Sequence, residues 1–328
     1  PESPPLAPTS ARLRLESERG SFALRRSLAA LGYQETINFS FVQERWEHEL
    51  AGNAQPIRLL NPIASPMSVM RSSLIGSLLQ VLKFNQDRKA ARVRVFEMGR
   101  VFLRDASVAG SDSTVAGLHQ PMRVAGLASG PLESAGWAQA SRLVDFFDLK
   151  GDLEALLAPV QALFEPVDHP ALHPGRSASV NVEGQRIGVV GQLHPRWRQA
   201  YELSQAPVLF ELDLDALLRR PVPAFAGVSR QQPVERDIAV IVGESVTHAQ
   251  LMAQIHAAPT QGLLRSATLF DIYRPKEAGA GLALGEKSLA VRLVLSDEQA
   301  TLTEDQIEQA VRAVVDRLHQ QLGARLRA

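Results

Sequence analysis

Asp237-Ile-Ala-Val-Ile-Val-Gly-Glu-Ser-Val-Thr-His-Ala-Gln-Leu251 decides how the last third of the chain folds. Its first six residues are an apolar run suited to a central strand. Thr247-His-Ala-Gln250 is a capping box: the Thr hydroxyl accepts from the free N–H three residues on, and the Gln reaches back. Val246 and Leu251 stand at the two staple positions, and Leu251, Ile255 and Ala258 then recur on one helical face. The same device returns at Thr303-Glu-Asp-Gln306, with Leu302 and Ile307 as the staple. Ile307, Val311, Val314, Val315, Leu318 and Leu322 continue as one stripe, and Gly323 supplies the stop. Between these helices, Leu263 to Tyr273 and Ser288 to Leu295 read as strands. In the second, Leu289, Val291, Leu293 and Leu295 alternate with Ser288, Ala290, Arg292 and Val294. Ala324-Arg-Leu-Arg327 suits an edge strand. The order is βαββαβ, a ferredoxin-like fold with both helices on one face of an antiparallel sheet.

Upstream, Pro221-Val-Pro-Ala-Phe-Ala-Gly227 reads as a linker, which places a boundary near residue 228 and divides the chain into domains 1–228 and 229–328. The first domain mixes helices and strands. A helix ending at Gly32 precedes a strand from Glu35 to Val42, where Ile37, Phe39 and Phe41 alternate with Thr36, Asn38 and Ser40. Leu74, Leu78, Val81 and Leu82 mark a second helix, and Asp148 to Leu163 a third. Arg92 to Leu103, Met122 to Ser129, Ala178 to Val182 and Arg186 to Gly191 read as strands, and Ala106 to Gln120 as a long loop. The pattern predicts an α+β domain with an antiparallel sheet flanked by helices, and no βαβ unit with a Gly-rich turn appears.

Composition sets the limits. At 328 residues the chain is too long for one ordinary domain, and 45% hydrophobic with 21% charged residues is a globular balance. The absence of Cys excludes disulfides and thiolate chemistry and fits a reducing cytoplasm. No apolar run approaches the roughly 20 residues that span a bilayer. The chain opens on Pro1-Glu-Ser-Pro-Pro5 and its first methionine is Met67, so the sequence reads as a segment of something longer. Thirty-five basic residues balance 35 acidic ones, so any contact with nucleic acid must come from local asymmetry.

Such asymmetry exists in the second domain. Between Arg265 and Arg292, the cations Arg265, Arg274, Lys276, Lys287 and Arg292 face Asp271, Glu277 and Glu286. Between Thr303 and Leu322, Arg312 and Arg317 face Glu304, Asp305, Glu308 and Asp316. Positive charge thus favours the strands, and with Tyr273 among them this suits a phosphate backbone. In the first domain, His169 and His173 have helical spacing for a metal pair, but Pro170 and Pro174 break that helix and leave a turn. Gly188 and Gly191 lie in an apolar strand, not in a phosphate cradle. Asp145 and Asp148 read as helix caps, and Ser72 and Ser73 as helix-start residues. Glu97 interrupts an apolar strand and is either surface-facing or buried and paired, the second being favoured.

Leu269-Phe-Asp-Ile-Tyr-Arg-Pro-Lys276, Gly285-Glu-Lys-Ser-Leu-Ala-Val-Arg-Leu293 and the capped helix from Thr303 resemble the ferredoxin-fold anticodon-binding domain of the bacterial phenylalanyl-tRNA synthetase β-subunit family. Upstream, Asn61-Pro-Ile-Ala-Ser65 with Met70-Arg-Ser-Ser-Leu74, Val95-Phe-Glu-Met-Gly-Arg100, Asp145-Phe-Phe-Asp-Leu-Lys-Gly151, His173-Pro-Gly-Arg-Ser-Ala178 and Gly191-Gln-Leu-His-Pro195 are similar, in order, to its class II synthetase-like core. The resemblance implies a cytoplasmic α2β2 ligase that charges tRNA(Phe) with phenylalanine. ATP and magnesium would serve the whole enzyme, whose active site lies in the α subunit. It implies no catalytic residue, cofactor or metal in this chain, which would assemble with the α subunit and bind tRNA through Arg265, Tyr273, Arg274, Lys276, Lys287 and Arg292. The Arg94/Glu97 spacing and Phe210-Glu-Leu-Asp-Leu-Asp215 depart from what class II catalysis needs. Two other readings stay open: a free-standing class II-like ATP-dependent ligase, and a small-molecule-sensing ferredoxin-like module.

Overall fold

Apolar side chains stand on both faces of the strand Val93–Arg100, and the sheet built around it is covered on both sides. The computed structural model describes residues 15–138, 140–225, 229–275 and 282–327, and the chain divides into two units, Pro1–Pro223 and Ala224–Ala328.

In the first unit one sheet holds β1 (Gln34–Glu35), β2 (Val93–Arg100), β3 (Met122–Ser129), β4 (Leu163–Pro166), β5 (Leu172–Val182), β6 (Gln185–Leu193) and β7 (Val208–Asp213). The order is β1-β2-β3-β7-β6-β5-β4, parallel between β1 and β2 and antiparallel elsewhere. Helices α1 (Ser21–Ala30), α2 (Ile75–Asp87), α3 (Phe146–Leu157) and α4 (Leu214–Leu218) flank it. On one face Phe96, Val124, Val190 and Phe210 share a core with Leu24 and Leu28 of α1, Leu149 and Leu153 of α3 and Leu217 of α4. On the other, Val95, Leu127, Val189 and Leu209 share one with Leu74, Trp46 and Ile75, Leu78 and Leu82 of α2.

Two expectations for this unit need correction. The strand from Glu35 to Val42 is broken: only its ends are strand, and Ile37 and Phe39 are 93% and 64% exposed. Thr36 N–H still reaches the Phe96 carbonyl, but the next donor, Asn38 N–H, meets the Glu97 side chain, so the main-chain ladder stops there. Phe41–Val42 pairs instead with Val69–Met70, which also pairs with Ile57–Arg58. The helix expected to reach Leu163 ends at Leu157, because Pro159 lacks the N–H that a continuing helix requires. Its start is as read, with Asp145 and Asp148 forming a capping box. The loop 106–120 is closed at its base by the pairing of Leu103–Arg104 with Leu118–His119.

The second unit follows the sequence closely. Its elements are β8 (Val234–Gly243), α5 (His248–His256), β9 (Leu264–Tyr273), β10 (Glu286–Leu295), α6 (Glu304–Leu322) and β11 (Arg325–Leu326), with strand order β9-β10-β8-β11, all antiparallel. Both capping boxes form, and Gly323 leaves α6 at φ 62°, a conformation that glycine takes without steric cost. Ile238, Val240, Leu289, Val291 and Leu293 share a core with Leu251 and Ile255 of α5 and Val314 and Leu318 of α6. Among the described residues, no helix is long and apolar enough to cross a membrane.

Because each threonine side chain satisfies a helix-end donor that has no partner within its helix, Thr247→Ala and Thr303→Ala should each lower the stability of the second unit by about 1 kcal/mol. Urea unfolding of the chain and both variants checks this. Unchanged midpoints in both would mean that packing, not capping, fixes these helix starts.

Candidate functional site

The segment Arg71-Ser72-Ser73-Leu74 runs through the interior of the first unit and is gripped by three buried carboxylates. Arg71 Nη1 donates to Glu97 Oε1 at 2.7 Å, with both side chains 3% exposed, and its Nε donates to the Arg100 carbonyl at 3.0 Å. Asn38 Nδ2 donates to the other oxygen of Glu97 at 2.7 Å. Glu47 accepts from Ser72 N–H at 2.9 Å and from the Ser72 hydroxyl. Glu211 accepts from Leu74 N–H at 2.6 Å, the Ser73 hydroxyl at 3.2 Å and Arg123 Nη1 at 3.0 Å. Ser73 Oγ in turn accepts from Ile75 N–H, so a carboxylate and a hydroxyl cap α2 from inside the protein. Glu97 is therefore buried and paired, and Ser72 and Ser73 do mark a helix start.

Strand register explains the gathering. Glu97 stands opposite Ala125, and Ala125 opposite Glu211, so two carboxylates flank one small residue on neighbouring strands. Gly99 makes room for the arginine: a Cβ there would fall 2.2 Å from Arg71 Nη2. Arg94, three residues from Glu97, takes the opposite face of β2. There its guanidinium pairs with Asp152 and lies 4.5 Å from the Tyr33 ring centroid, while Tyr33 donates to Asp152 at 2.7 Å. Burial raises the Tyr33 phenol and the Asp152 carboxyl above their ordinary values.

The remaining candidates of this unit are structural. His169 Nδ1 accepts from Ala171 N–H at 3.2 Å and His173 Nδ1 from Gly175 N–H at 3.0 Å, so each imidazole holds its own turn. Burial pushes His169 down to about 4 and keeps it neutral. Gly188 permits close strand approach, since a Cβ there would lie 2.1 Å from the Glu211 carbonyl.

In the second unit the face of the sheet away from its helices carries the candidate nucleic-acid contacts. Arg292 lies across from Asp237 on β8 and Thr268 on β9. It donates to both Asp237 oxygens at 2.8 and 2.9 Å and pairs with Glu235 at 3.2 Å, and its guanidinium sits 5.6 Å from the Phe270 ring centroid. These hydrogen bonds hold the Asp237 carboxyl below its ordinary value. Tyr273 is 42% exposed on the same face, with the Arg327 guanidinium 5.0 Å from its ring centroid. Arg265 pairs with Glu298 at 3.2 Å and Arg274 with Glu244 at 2.9 Å. Lys276 lies outside the described residues. Lys287 must be corrected: it shares the helix-facing parity of Leu289, is 8% exposed and donates to the Glu244 carbonyl at 2.8 Å, so it braces the chain after β8. Phe270, Arg325 and Arg327, which sequence reasoning did not name, stand near these candidates. Arg325 on β11 and Arg327 just beyond it alternate, a signal that was available. Phe270 sits at a register shift of β9, where alternation fails.

Residues 1–214 match the family described as phenylalanyl tRNA synthetase beta chain CLM domain, and residues 229–327 the ferredoxin-fold anticodon binding domain. The phenylalanine–tRNA ligase beta subunit of Cupriavidus pinatubonensis is 52% identical over 328 residues, covering 99% of this chain and 40% of that protein. Those of Burkholderia pseudomallei and Ralstonia nicotianae are each 49% identical, covering 100% of this chain and 41% of theirs. The chain thus spans about two fifths of the length of these curated relatives. A pyrrolysyl tRNA synthetase structure from Desulfitobacterium hafniense overlaps 60% of this chain and 65% of its own at TM-score 0.42 and 12% identity, a likeness from which nothing is argued.

The interior network generates a stability prediction. Arg71→Met leaves Glu97 buried without its cation and should cost about 3–5 kcal/mol, whereas Arg71→Met with Glu97→Met should recover most of that loss. Denaturant unfolding of the single and double variants decides it. A loss below about 1 kcal/mol for the single variant would show the pair to be dispensable.

Proposed function

The chain belongs to the phenylalanyl-tRNA synthetase β family, and from that membership we propose that it is the assembly and RNA-binding part of a phenylalanine–tRNA ligase. The whole enzyme charges tRNA(Phe) with phenylalanine in the cytoplasm, as an α2β2 tetramer whose α subunit holds the active site with ATP and magnesium. Residues 1–228 serve as the synthetase-like core that binds the α subunit, and residues 229–328 bind the anticodon region of the tRNA.

The observation that carries the non-catalytic reading is the occupied middle of the first unit's sheet. A ligase on this sheet would need Arg94 and Glu97 to act together on one substrate, yet they take opposite faces of β2. Glu211 is committed to the start of α2 and Glu97 to Arg71. These groups do not suit a nucleotide, because anionic side chains in direct pairs with the protein's own cations offer no donor to a phosphate. Partner binding is supported by apolar side chains left in the open, among them Ile37, Phe39, Leu60 and Ile63.

For RNA, the open sheet face combines exposed aromatic rings with arginines, the pairing that stacks bases while contacting phosphates. Arg292, Tyr273, Arg265 and Arg274 keep this role, with Phe270 and Arg327 added, and Lys276 belongs to the same proposal from sequence alone. In the assembled enzyme, Tyr273→Ala should lower tRNA(Phe) affinity by about tenfold, in the range of one lost stacking contact. Arg292→Ala should reduce the salt slope of binding by about one unit. Arg312→Ala with Arg317→Ala on α6 should leave both quantities near wild type. Binding isotherms at several salt concentrations test this, and equal losses in the sheet and helix variants would place the RNA elsewhere.

A further inference from the structure

The arginines that suit an RNA face are already held by carboxylates. Arg274 is paired with Glu244, Arg265 with Glu298 and Arg325 with Glu286. Arg292 is the extreme case. Its Nε and Nη2 are used by Asp237 and its Nη1 by Glu235, while its plane lies beside Phe270. The side chains of Arg292, Asp237 and Glu235 are 47%, 46% and 58% exposed, so this is a surface cluster. Exposed ion pairs contribute little to folding, and stability does not account for two carboxylates on one exposed guanidinium.

The arrangement has a plainer consequence for binding. A free guanidinium attracts any phosphate and releases the counterions of the nucleic acid, which favours every sequence alike. A guanidinium engaged by two carboxylates keeps two of its five N–H donors, but its charge is already balanced, so it attracts a phosphate far less than a free one. A phosphate that binds there also meets Asp237 and Glu235 beside it. Only an RNA that makes other contacts on this face, by stacking on Phe270 or Tyr273, offsets that repulsion.

We infer that Asp237 and Glu235 are specificity-determining residues of this face, acting through Arg292 to suppress binding of RNA that brings phosphate contacts without base contacts. The inference rests on the reading of the open sheet face as the tRNA interface. Discrimination comes from a repulsive element as well as an attractive one.

The test uses the assembled enzyme with Asp237→Asn and Glu235→Gln, singly and together, and two probes: tRNA(Phe) and an elongator tRNA of unrelated anticodon. Both substitutions keep shape while removing the charge and one of the two acceptor oxygens. The double variant should bind the unrelated tRNA about two- to fivefold more tightly, the range set by losing surface ion pairs. It should gain less for tRNA(Phe), and its salt slope should steepen by about one unit. The single variants should fall between. With Arg292→Ala in the background, the same substitutions should change the salt slope no further, a dependence that a merely structural role would not produce. The inference is overturned if Arg292→Ala weakens binding but the double variant binds both tRNAs no more tightly than wild type. If Arg292→Ala, Tyr273→Ala and the double variant all bind as wild type does, the interface reading itself fails and takes this inference with it.

Discussion

Donors that no strand or helix satisfies cannot be buried cheaply, and the segment from Arg71 to Leu74 buries the N–H groups of Ser72 and Leu74 and the Arg71 guanidinium. Glu47 and Glu211 accept from the two N–H groups, and Glu97 from the guanidinium. Each supplies an anion to a place where the chain offers donors, and two of them are neutralised by Arg71 and Arg123. Such a network is weak evidence for extra stability, since well-packed apolar residues would often serve as well. It is strong evidence for a fixed arrangement, because a single missing partner leaves a charge without compensation. The start of α2 is fixed by where this segment is pinned.

That constraint also shapes what the first unit can do. One face of its sheet is closed by α2, and the polar groups there are turned inward on the protein's own chain. The second unit solves the opposite problem. Ala239 and Ala290 leave part of its open face low, while Phe270, Tyr273, Arg292 and Arg327 stand around it. A flat base can approach such a surface. The filled sheet suits a scaffold, and the partly low one suits a ligand.

The sequence exposed the second unit well because its signals are local. Capping boxes act over three residues, and the alternation in β10 needs only neighbours. Glu97 was legible for the same reason, since Val95, Phe96 and Met98 leave an acid little chance of water. Glu211 was not. In Phe210-Glu-Leu-Asp213 a period of two sends Glu211 outward, and only contacts with Ser73 and Leu74, more than 130 residues away, make that side buried. Ile37 and Phe39 misled for a related reason: their alternation is real, but the ladder that would use it is interrupted by the Glu97 side chain. On the open face of the second unit's sheet, the side of Arg292 could be read from parity, but its carboxylate partners 55 and more residues distant could not. Lys287 shares the parity of Leu289, so its helix-facing position was available and was overlooked.

The central claim is that this chain contributes scaffold and RNA contacts while the chemistry belongs to a partner. Phenylalanine-dependent exchange of pyrophosphate into ATP by the purified chain tests it most directly, because that reaction reports amino-acid activation without needing tRNA. The account predicts no exchange above background from the chain alone at any concentration. Exchange at a rate comparable to the assembled enzyme would contradict it.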